Sequence, residues 1–233
     1  MPADATAVLG WLERSSSIAV RDGMARFAIP TSRAFGVPVA QLRVEAKRLG
    51  RSHGLAAALW ASGWYEARML ACFVDDPARV GAAQMDDWCR DFDNWAIVDT
   101  ACFALFDRTP HAWAKAHAWS SRAAEFEKRA AFALLWSLSV HDKTAADAPF
   151  IEGLQLIERA ADDERNFVKK AVNMALRAIG KRNAALNAAA VETARRLAAG
   201  AEPTPRWIGK HALIELTSPA IHMRLAKRAR PPR

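Results

Sequence analysis

The sequence predicts an all-α protein, and three of its features support that fold class. β-Branched residues are sparse, alanine is abundant, and no alternation of apolar and polar residues persists for more than a few positions. Glycine, proline and asparagine stand where apolar runs of helical periodicity start or stop. Segments that pair apolar with small residues also recur along the chain, at intervals of about 31 to 40 residues.

The expected helices follow in chain order from their boundary signals. They are residues 39–49, between Pro38 and Gly50; residues 53–62, before Gly63; residues 95–106, after Asp93 or Asn94; and residues 164–179, before Gly180. Proline suits the first helical turn, asparagine and aspartate accept hydrogen bonds from the first free N–H groups, and glycine readily ends a helix.

Five recurring segments define the expected repeat. They are residues 65–74, 96–106, 128–138, 168–179 and 206–216. A second amphipathic helix fits between each segment and the next. One such helix pair cannot bury its apolar face alone, so neighbouring pairs stack and the array curves. We therefore expect a curved α-solenoid of HEAT-like helix pairs with a concave basic face, in a single domain over residues 1–222. Because the repeats are degenerate in sequence, an irregular helical bundle is the alternative.

Composition and charge narrow the class of protein. The 233 residues are 52 % apolar and 25 % charged, which is a globular composition, and no apolar run is long enough to cross a membrane. The first residues lack the pattern of a signal peptide, so we expect a cytoplasmic protein. A net charge of +8 favours a polyanionic partner, although a basic surface can also serve solubility alone. Residues 223–233 carry five basic residues and two prolines, which predicts a mobile basic tail.

The cysteines and histidines give no sign of a metal site. Cys72, Cys89 and Cys102 belong to no Cys-x-x-Cys pair, which predicts buried thiols in a reducing compartment. The six histidines form no zinc-binding motif. We expect neither a metal nor a cofactor.

Trp95 and Asp99 form the most informative pair of the chain. They are four residues apart and therefore share one helix face. Residues 101–106 are apolar, so the carboxylate belongs to a largely buried helix, where an ionised group costs several kcal/mol unless it is paired. Asp99 is then either a structural residue, bonded to Arg129 or to a backbone amide, or a carboxylate held ready for a cation.

Cations lie in two of the other recurring segments. Arg129 opens an apolar run. One face of the later helix carries, at helical spacing, Lys170, Met174, Arg177 and Lys181. This stripe is either a solvated surface or, in a solenoid, one wall of a basic groove shared with Arg129, Trp95 and Asp99. Such a groove with aromatic side chains suits a DNA backbone.

Several short segments occur in the order typical of one known family. They are residues 34–37 (Ala-Phe-Gly-Val), 59–60 (Leu-Trp), 66–68 (Glu-Ala-Arg), the Asp-x-x-x-Trp-x-x-x-Asp run that ends at Asp99, 128–129 (Lys-Arg), 163–173 (Asp-Glu-Arg-Asn-Phe-Val-Lys-Lys-Ala-Val-Asn) and 175–177 (Ala-Leu-Arg). From about Arg26 to Leu216 the chain thereby resembles the DNA alkylation repair family of HEAT-like-repeat DNA glycosylases. The stretch 163–173 is the most specific of these segments.

The resemblance implies an activity and roles for individual residues. It implies removal of N3- and N7-alkylpurines from double-stranded DNA by hydrolysis of the N-glycosidic bond, without a metal or cofactor. Asp99 matches the catalytic carboxylate, and Trp95 matches an aromatic that lies against the sugar at the lesion. Arg129 and Arg177 match arginines that hold the DNA backbone near the lesion. Lys170, Met174 and Lys181, which share a helix face with Arg177, are further residues expected to contact DNA. We expect a monomer with no obligate protein partner and no membrane association.

Two departures from the family pattern keep other functions open. Met174 stands where the family usually has tryptophan, and Ala96 stands where it usually has aspartate. One alternative is a catalytically silent DNA-binding paralogue that recognises distorted or alkylated duplexes. The other is a helical-repeat protein scaffold with no nucleic-acid role. Phe27 is a candidate for a compensating aromatic side chain from the N-terminal region.

Overall fold

A computed structural model of the chain describes residues 4–228. Within this range all regular secondary structure is helical, as the sequence predicts, with fourteen α-helices, two short 3₁₀ helices and no strand. The chain folds as two compact units, which divide between His111 and Ala112. The N-terminal part is called unit 1 and the C-terminal part unit 2.

Unit 1 contains the first seven α-helices. They are α1 (Ala5–Arg14), α2 (Ile18–Met24), α3 (Val39–Leu49), α4 (His53–Ala61), α5 (Tyr65–Val74), α6 (Ala82–Arg90) and α7 (Trp95–Ala104). Helices α3, α5 and α7 pack in succession, and α4 packs on α5. Trp60 of α4 stacks on Trp88 of α6 with ring centroids 4.0 Å apart, so these two tryptophans belong to the core.

Unit 2 contains the other seven. They are α8 (Ala112–Trp119), α9 (Glu125–His141), α10 (Ala148–Arg159), α11 (Asn166–Ile179), α12 (Ala184–Ala199), α13 (Pro203–Leu216) and α14 (Pro219–Arg228). Helices α9, α11 and α13 pack in one succession, and α8, α10 and α12 pack in another. Fully buried aromatic side chains, among them Phe132 and Phe150, fill the space between them. Successive helices of like position thus bury one another's apolar faces, as stacked helix pairs require.

The predicted alternation of helices is confirmed. The five recurring segments lie in α5, α7, α9, α11 and α13, and α6, α8, α10 and α12 stand between them. Helix α3 ends at Gly50, as its signals predict. Helix α7 ends at Ala104 rather than at residue 106, because the backbone of Leu105 leaves the helical region and a 3₁₀ turn follows. Helix α11 begins at Asn166, two residues later than expected, because Arg165 has a non-helical backbone.

The C-terminal basic segment differs from the prediction. Residues 223–228 are helical, as the end of α14, whereas the sequence predicted a mobile tail without regular structure. The reason is that Ile221 and Leu225, one turn apart, are both buried and hold the helix to unit 2. Residues 229–233 lie outside the described part of the chain.

Three further expectations concern cysteines, membranes and metals. Cys72, Cys89 and Cys102 are buried thiols. Among residues 4–228 no helix is both long enough and apolar enough to span a bilayer. The same residues bring together no group of three or more histidine, cysteine or acidic side chains that could hold a metal ion.

Candidate functional site

Helix α7 begins at a well-formed cap. The Asn94 side chain accepts hydrogen bonds of 3.0 Å from the backbone N–H groups of Ala96 and Ile97, which confirms one of the two predicted caps. The Asp93 carboxylate in turn accepts a 2.7 Å hydrogen bond from the Asn94 amide. This arrangement fixes the start of the helix at Trp95 and places Asp99 one turn later.

Asp99 lies on the less buried side of α7. Five residues of α7 are buried, namely Ala96, Ile97, Val98, Ala101 and Cys102. Trp95 and Asp99 are both half-buried, and they share one face because they are four residues apart. The carboxylate is therefore not sealed within the core of unit 1.

Trp95 is held in a fixed orientation. Its indole N–H donates a 2.8 Å hydrogen bond to the backbone carbonyl of Phe27. Its ring packs against an apolar cluster of Met24, Ile29, Ala34 and Ala96. The Phe27 side chain itself is 58 % exposed, and the guanidinium of Arg26 lies 5.7 Å from its ring centroid. An exposed aromatic ring and a cation thus neighbour the backbone group that anchors Trp95.

A small cavity lies at the start of α7. It has a volume of about 70 Å³, and its walls include Tyr65, Arg68 and Asn94. Typical ligand pockets begin at about 300 Å³, so this cavity does not accommodate a nucleobase. Burial, followed by the charges of Glu66 and Asp93, raises the pKa of Tyr65 to about 12, so its hydroxyl stays protonated at neutral pH.

Glu66 of α5 is a structural carboxylate of unit 1. It is 0 % exposed and accepts hydrogen bonds from the backbone N–H groups of Phe35, Gly36 and Val37, at 2.9, 2.7 and 3.2 Å. These hydrogen bonds therefore join two of the family-like segments, 34–37 and 66–68. Gly36 is required there, since its φ is +81° and a Cβ would lie 2.2 Å from the carbonyl oxygen of Ser17.

In unit 2, Arg129 is less accessible than its sequence context predicts. It is only 4 % exposed, and its guanidinium donates a 2.8 Å hydrogen bond to the backbone carbonyl of Phe167. This bond joins α9 to the first turn of α11. A phosphate contact by Arg129 requires a local movement that uncovers the guanidinium.

The stripe on α11 lies on the less buried side of the helix. Lys170 is exposed, and Met174, Arg177 and Lys181 are half-buried, with Lys181 in the turn that follows the helix. The opposite face is buried and consists of Val168, Ala171, Val172, Ala175, Leu176 and Ile179. The stripe is thus the solvent side of an amphipathic helix.

A counter-charge on α13 partly neutralises this stripe. The carboxylate of Glu215 accepts hydrogen bonds from Arg177 and, at 2.8 Å, from Lys181. Partial burial acts to raise the pKa of Glu215, but the bonds from Lys181 and Arg177 outweigh it, and the pKa lies below its ordinary value. Glu215 was not predictable from the sequence, because pairing across neighbouring repeats depends on helix register.

The most specific family-like segment, residues 163–173, proves largely structural. Asp163 binds the side chain of Arg165 and, at 2.9 Å, the ammonium of Lys128 at the start of α9. The hydrogen bond from Arg165 is the main cause that lowers the pKa of Asp163 to about 2. At the other end of the segment, the buried amide of Asn173 donates to the carbonyl of Ile208 in α13. The segment therefore ties α11 to both of its neighbours.

The predicted site residues fall into two sets. Trp95 and Asp99 lie in unit 1, and Arg129, Lys170, Met174, Arg177 and Lys181 lie in unit 2. The structure places Trp95 and Asp99 together on the face of α7. It places Lys170, Met174 and Arg177 along the face of α11, with Lys181 in the turn that follows. Convergence of the two sets on one groove stays a prediction.

Comparison with known proteins bears on fold and family. The sequence model of a family described as "DNA alkylation repair enzyme" matches residues 11–216, which span both units. One similar solved structure aligns over 83 % of each chain with a TM-score of 0.74 and 20 % identity. It is described as "a new family of proteins related to the HEAT-like repeat DNA glycosylases with affinity for branched DNA structures". No curated protein sequence matches the chain. The fold is accordingly that of the HEAT-like helical-repeat proteins.

Proposed function

The chain belongs to the DNA alkylation repair enzyme family, and on that premise we propose that it is a monofunctional DNA glycosylase for cationic N3- and N7-alkylpurines in duplex DNA. The observation that supports this most is the position of Asp99. Asp99 is half-buried on a helix with five buried residues, so it combines partial desolvation with access from solvent. We also propose that residues 1–222 act as one functional domain, because the family match runs through both units.

The proposed reaction needs an ionised carboxylate and does not need a general acid. An alkylated purine is already cationic, so it can leave without being protonated. As the N-glycosidic bond breaks, its electron pair moves to the base, and positive charge develops on the deoxyribose. Asp99 would stabilise that charge and orient the water whose oxygen bonds to the sugar carbon, while the water's proton passes to the carboxylate or to solvent.

Trp95 is suited to stand beside the reacting sugar. Its hydrogen bond to the Phe27 carbonyl fixes the ring, so little conformational entropy is lost when a substrate contacts it. An aromatic face near a cationic base or sugar contributes about 1 kcal/mol. Phe27 offers a second, exposed ring in the same unit.

We propose that the α11 stripe contacts the DNA backbone. Lys170 is exposed and can reach a phosphate directly. Arg177 and Lys181 share the carboxylate of Glu215, so a phosphate competes with that carboxylate for their charges and can replace it as their partner. Such an exchange preserves charge pairing, and it makes DNA affinity strongly dependent on salt.

A base-release assay tests the proposed activity. Excess wild-type protein is incubated with a duplex that contains one N7-methylguanine, and free methylpurine is measured over time. We expect release of the base with an abasic site left behind and no strand break made by the protein itself. The matched control is the same duplex with guanine at that position. Saturated binding of the methylated duplex without any free base would exclude the glycosylase.

A second function has specific support, namely binding of distorted or branched DNA without catalysis. The similar solved structure is described as having affinity for branched DNA. Met174 and Ala96 also replace an aromatic and an acidic residue that the resembling family usually has. For this function we expect a four-way junction to bind at least about tenfold more tightly than a linear duplex of the same length at the same salt concentration. This ratio corresponds to about 1.4 kcal/mol of binding free energy. Equal affinities for the two DNAs would argue against it.

A further inference from the structure

Unit 2 contains a basic pocket that no sequence motif indicates. Its volume is about 410 Å³, within the range of small-molecule sites. The pocket lies where α9 ends, α10 begins and α11 turns into α12. Its charged lining consists of three cations, Lys143, Arg182 and Arg228, and one carboxylate, Asp147.

The acidic groups near the pocket are already engaged. The Asp147 carboxylate accepts a 2.7 Å hydrogen bond from the Asn183 amide. Asp142 accepts hydrogen bonds from Thr144 and from the backbone N–H of Ala145. Within residues 4–228 no carboxylate forms a salt bridge with any of the three cations. The charges of Asp142 and Asp147 still attract Arg182 without a salt bridge, but three cations face two carboxylates, so the pocket keeps a net positive charge.

The cations are held in place by backbone carbonyls. Arg182 donates a 2.9 Å hydrogen bond to the carbonyl of Ser139, and its guanidinium lies 3.9 Å from the centroid of the Phe150 ring. Arg228 donates to the carbonyl of Lys181 at 3.0 Å. These bonds cap helix ends, but each guanidinium has five N–H donors and keeps others available. Within the described residues, the buried Nε of Arg182 meets no acceptor.

The charges also repel one another. Partial desolvation of this exposed side chain, followed by the nearby charges of Arg228, Arg182 and Arg224, lowers the pKa of Lys143. Burial is likewise the main cause that lowers the pKa of Arg182. The N-terminus of α12, which Asn183 caps, adds the positive end of a helix dipole at the same place. An anion in the pocket relieves this repulsion.

From this arrangement we propose that the pocket formed by Lys143, Arg182 and Arg228 binds a phosphate group. Convergent guanidinium groups and an ammonium are the donors that phosphate oxygens prefer, and arginine can bind them in a bidentate manner. The phosphate can come from the DNA backbone or from a small phosphate compound. The site lies apart from Asp99 in sequence and unit, and it does not depend on base release.

A pair of double variants tests the phosphate site. Lys143→Gln with Arg228→Gln removes two pocket charges and leaves Arg182, which packs on Phe150, in place. The matched control, Arg195→Gln with Lys210→Gln, removes two exposed charges of unit 2 outside the pocket. Thermal unfolding of both proteins verifies the fold. Lys143→Gln alone, which changes one exposed side chain, serves if the double variant does not fold.

Two measurements distinguish the sources of the phosphate. The first is calorimetric titration with inorganic phosphate at constant ionic strength, where we expect the pocket variant to bind at least about fivefold more weakly than the control. The second is the salt dependence of duplex binding, where a DNA phosphate in the pocket lowers the slope of log K against log salt by about 1 relative to the control. Either difference supports the site. Weaker binding of inorganic phosphate identifies a small phosphate compound as the ligand, and a lower salt slope identifies the DNA backbone. If the pocket variant matches the control in both measurements, the proposal is wrong.

Discussion

Two carboxylates on neighbouring helices of unit 1 have very different surroundings. Glu66 on α5 is 0 % exposed and binds three backbone N–H groups of residues 35–37. Asp99 on α7 is half-buried and shares its face with Trp95. Both stand in apolar helices, so sequence composition alone does not separate them. The difference teaches that a carboxylate used to organise a loop is withdrawn from solvent, whereas one that is to meet a substrate must keep access to it.

Two carboxylates of unit 2 have an intermediate exposure. The Asp163 side chain is 8 % exposed and the Glu215 side chain is 27 % exposed, and both bind cations of their own unit. We therefore expect the stability that each carboxylate contributes to fall in the order Glu66, Asp163, Glu215.

Replacing Glu66 should have the largest effect. Glu66→Ala leaves three backbone N–H groups without their acceptor, and each buried donor left so costs about 1 to 3 kcal/mol. We expect the free energy of unfolding to fall by about 3 to 5 kcal/mol, as measured by urea denaturation. Glu13→Ala, at an exposed position of α1, is the control and should change it by less than about 0.5 kcal/mol. A similar small change for Glu66→Ala would show that the buried carboxylate does not hold the loop.

Asp163 should show a smaller effect that depends on pH. Its pKa in the folded protein is about 2, below the ordinary value. Its contribution to the free energy of unfolding is therefore complete above about pH 4 and is lost as the pH falls towards 2. We expect Asp163→Asn to lower the free energy of unfolding by about 2 kcal/mol at pH 7. The difference from wild type should shrink at pH 3. A difference that is the same at both pH values would contradict the assignment to ionised Asp163.

Glu215 should affect DNA binding more than folding. Glu215→Gln removes a half-buried partner of Arg177 and Lys181, which costs at most about 1 kcal/mol of stability. It also frees both cations for phosphate, so we expect a severalfold gain in duplex affinity at low salt, measured by fluorescence anisotropy. Glu192→Gln, which releases Arg195 on α12, is the matched control. An equal gain for the control would mean that net charge alone is responsible.

Met174 should give the smallest effect. Met174→Trp restores the aromatic residue usual in the resembling family, and a cation–π contact at an exposed site is worth about 0.5 kcal/mol. We expect the ratio of affinities for methylated and unmodified duplex to rise about twofold relative to wild type. Met174→Leu controls for side-chain volume. The same ratio for the tryptophan and leucine variants would show that the ring contributes nothing to recognition.

Much of the fold was predictable, because it depends on local patterns. The limits of α3 and α5, the Asn94 cap of α7 and the alternation of helix pairs all follow from residues close together in sequence. The α14 segment was missed because charge and two prolines outweighed Ile221 and Leu225, which become apolar anchors only when a core is available.

The site was predictable only in part. Helical spacing correctly grouped Trp95 with Asp99, and Lys170 with Arg177. It could not reveal that Arg129 is buried or that Glu215 pairs with the α11 stripe, because those contacts join helices more than thirty residues apart. The phosphate pocket was missed for the same reason, since its three cations belong to separate segments.

The central claim is that Asp99 is a working carboxylate and not a structural one. The most direct test is the single-turnover rate of N7-methylguanine release from duplex DNA by Asp99→Asn. The comparison protein is Asp87→Asn, which alters an exposed aspartate of α6. We predict a rate at least about 100-fold below that of the Asp87 variant, with duplex affinity nearly unchanged. Equal release rates for the two variants would contradict the claim.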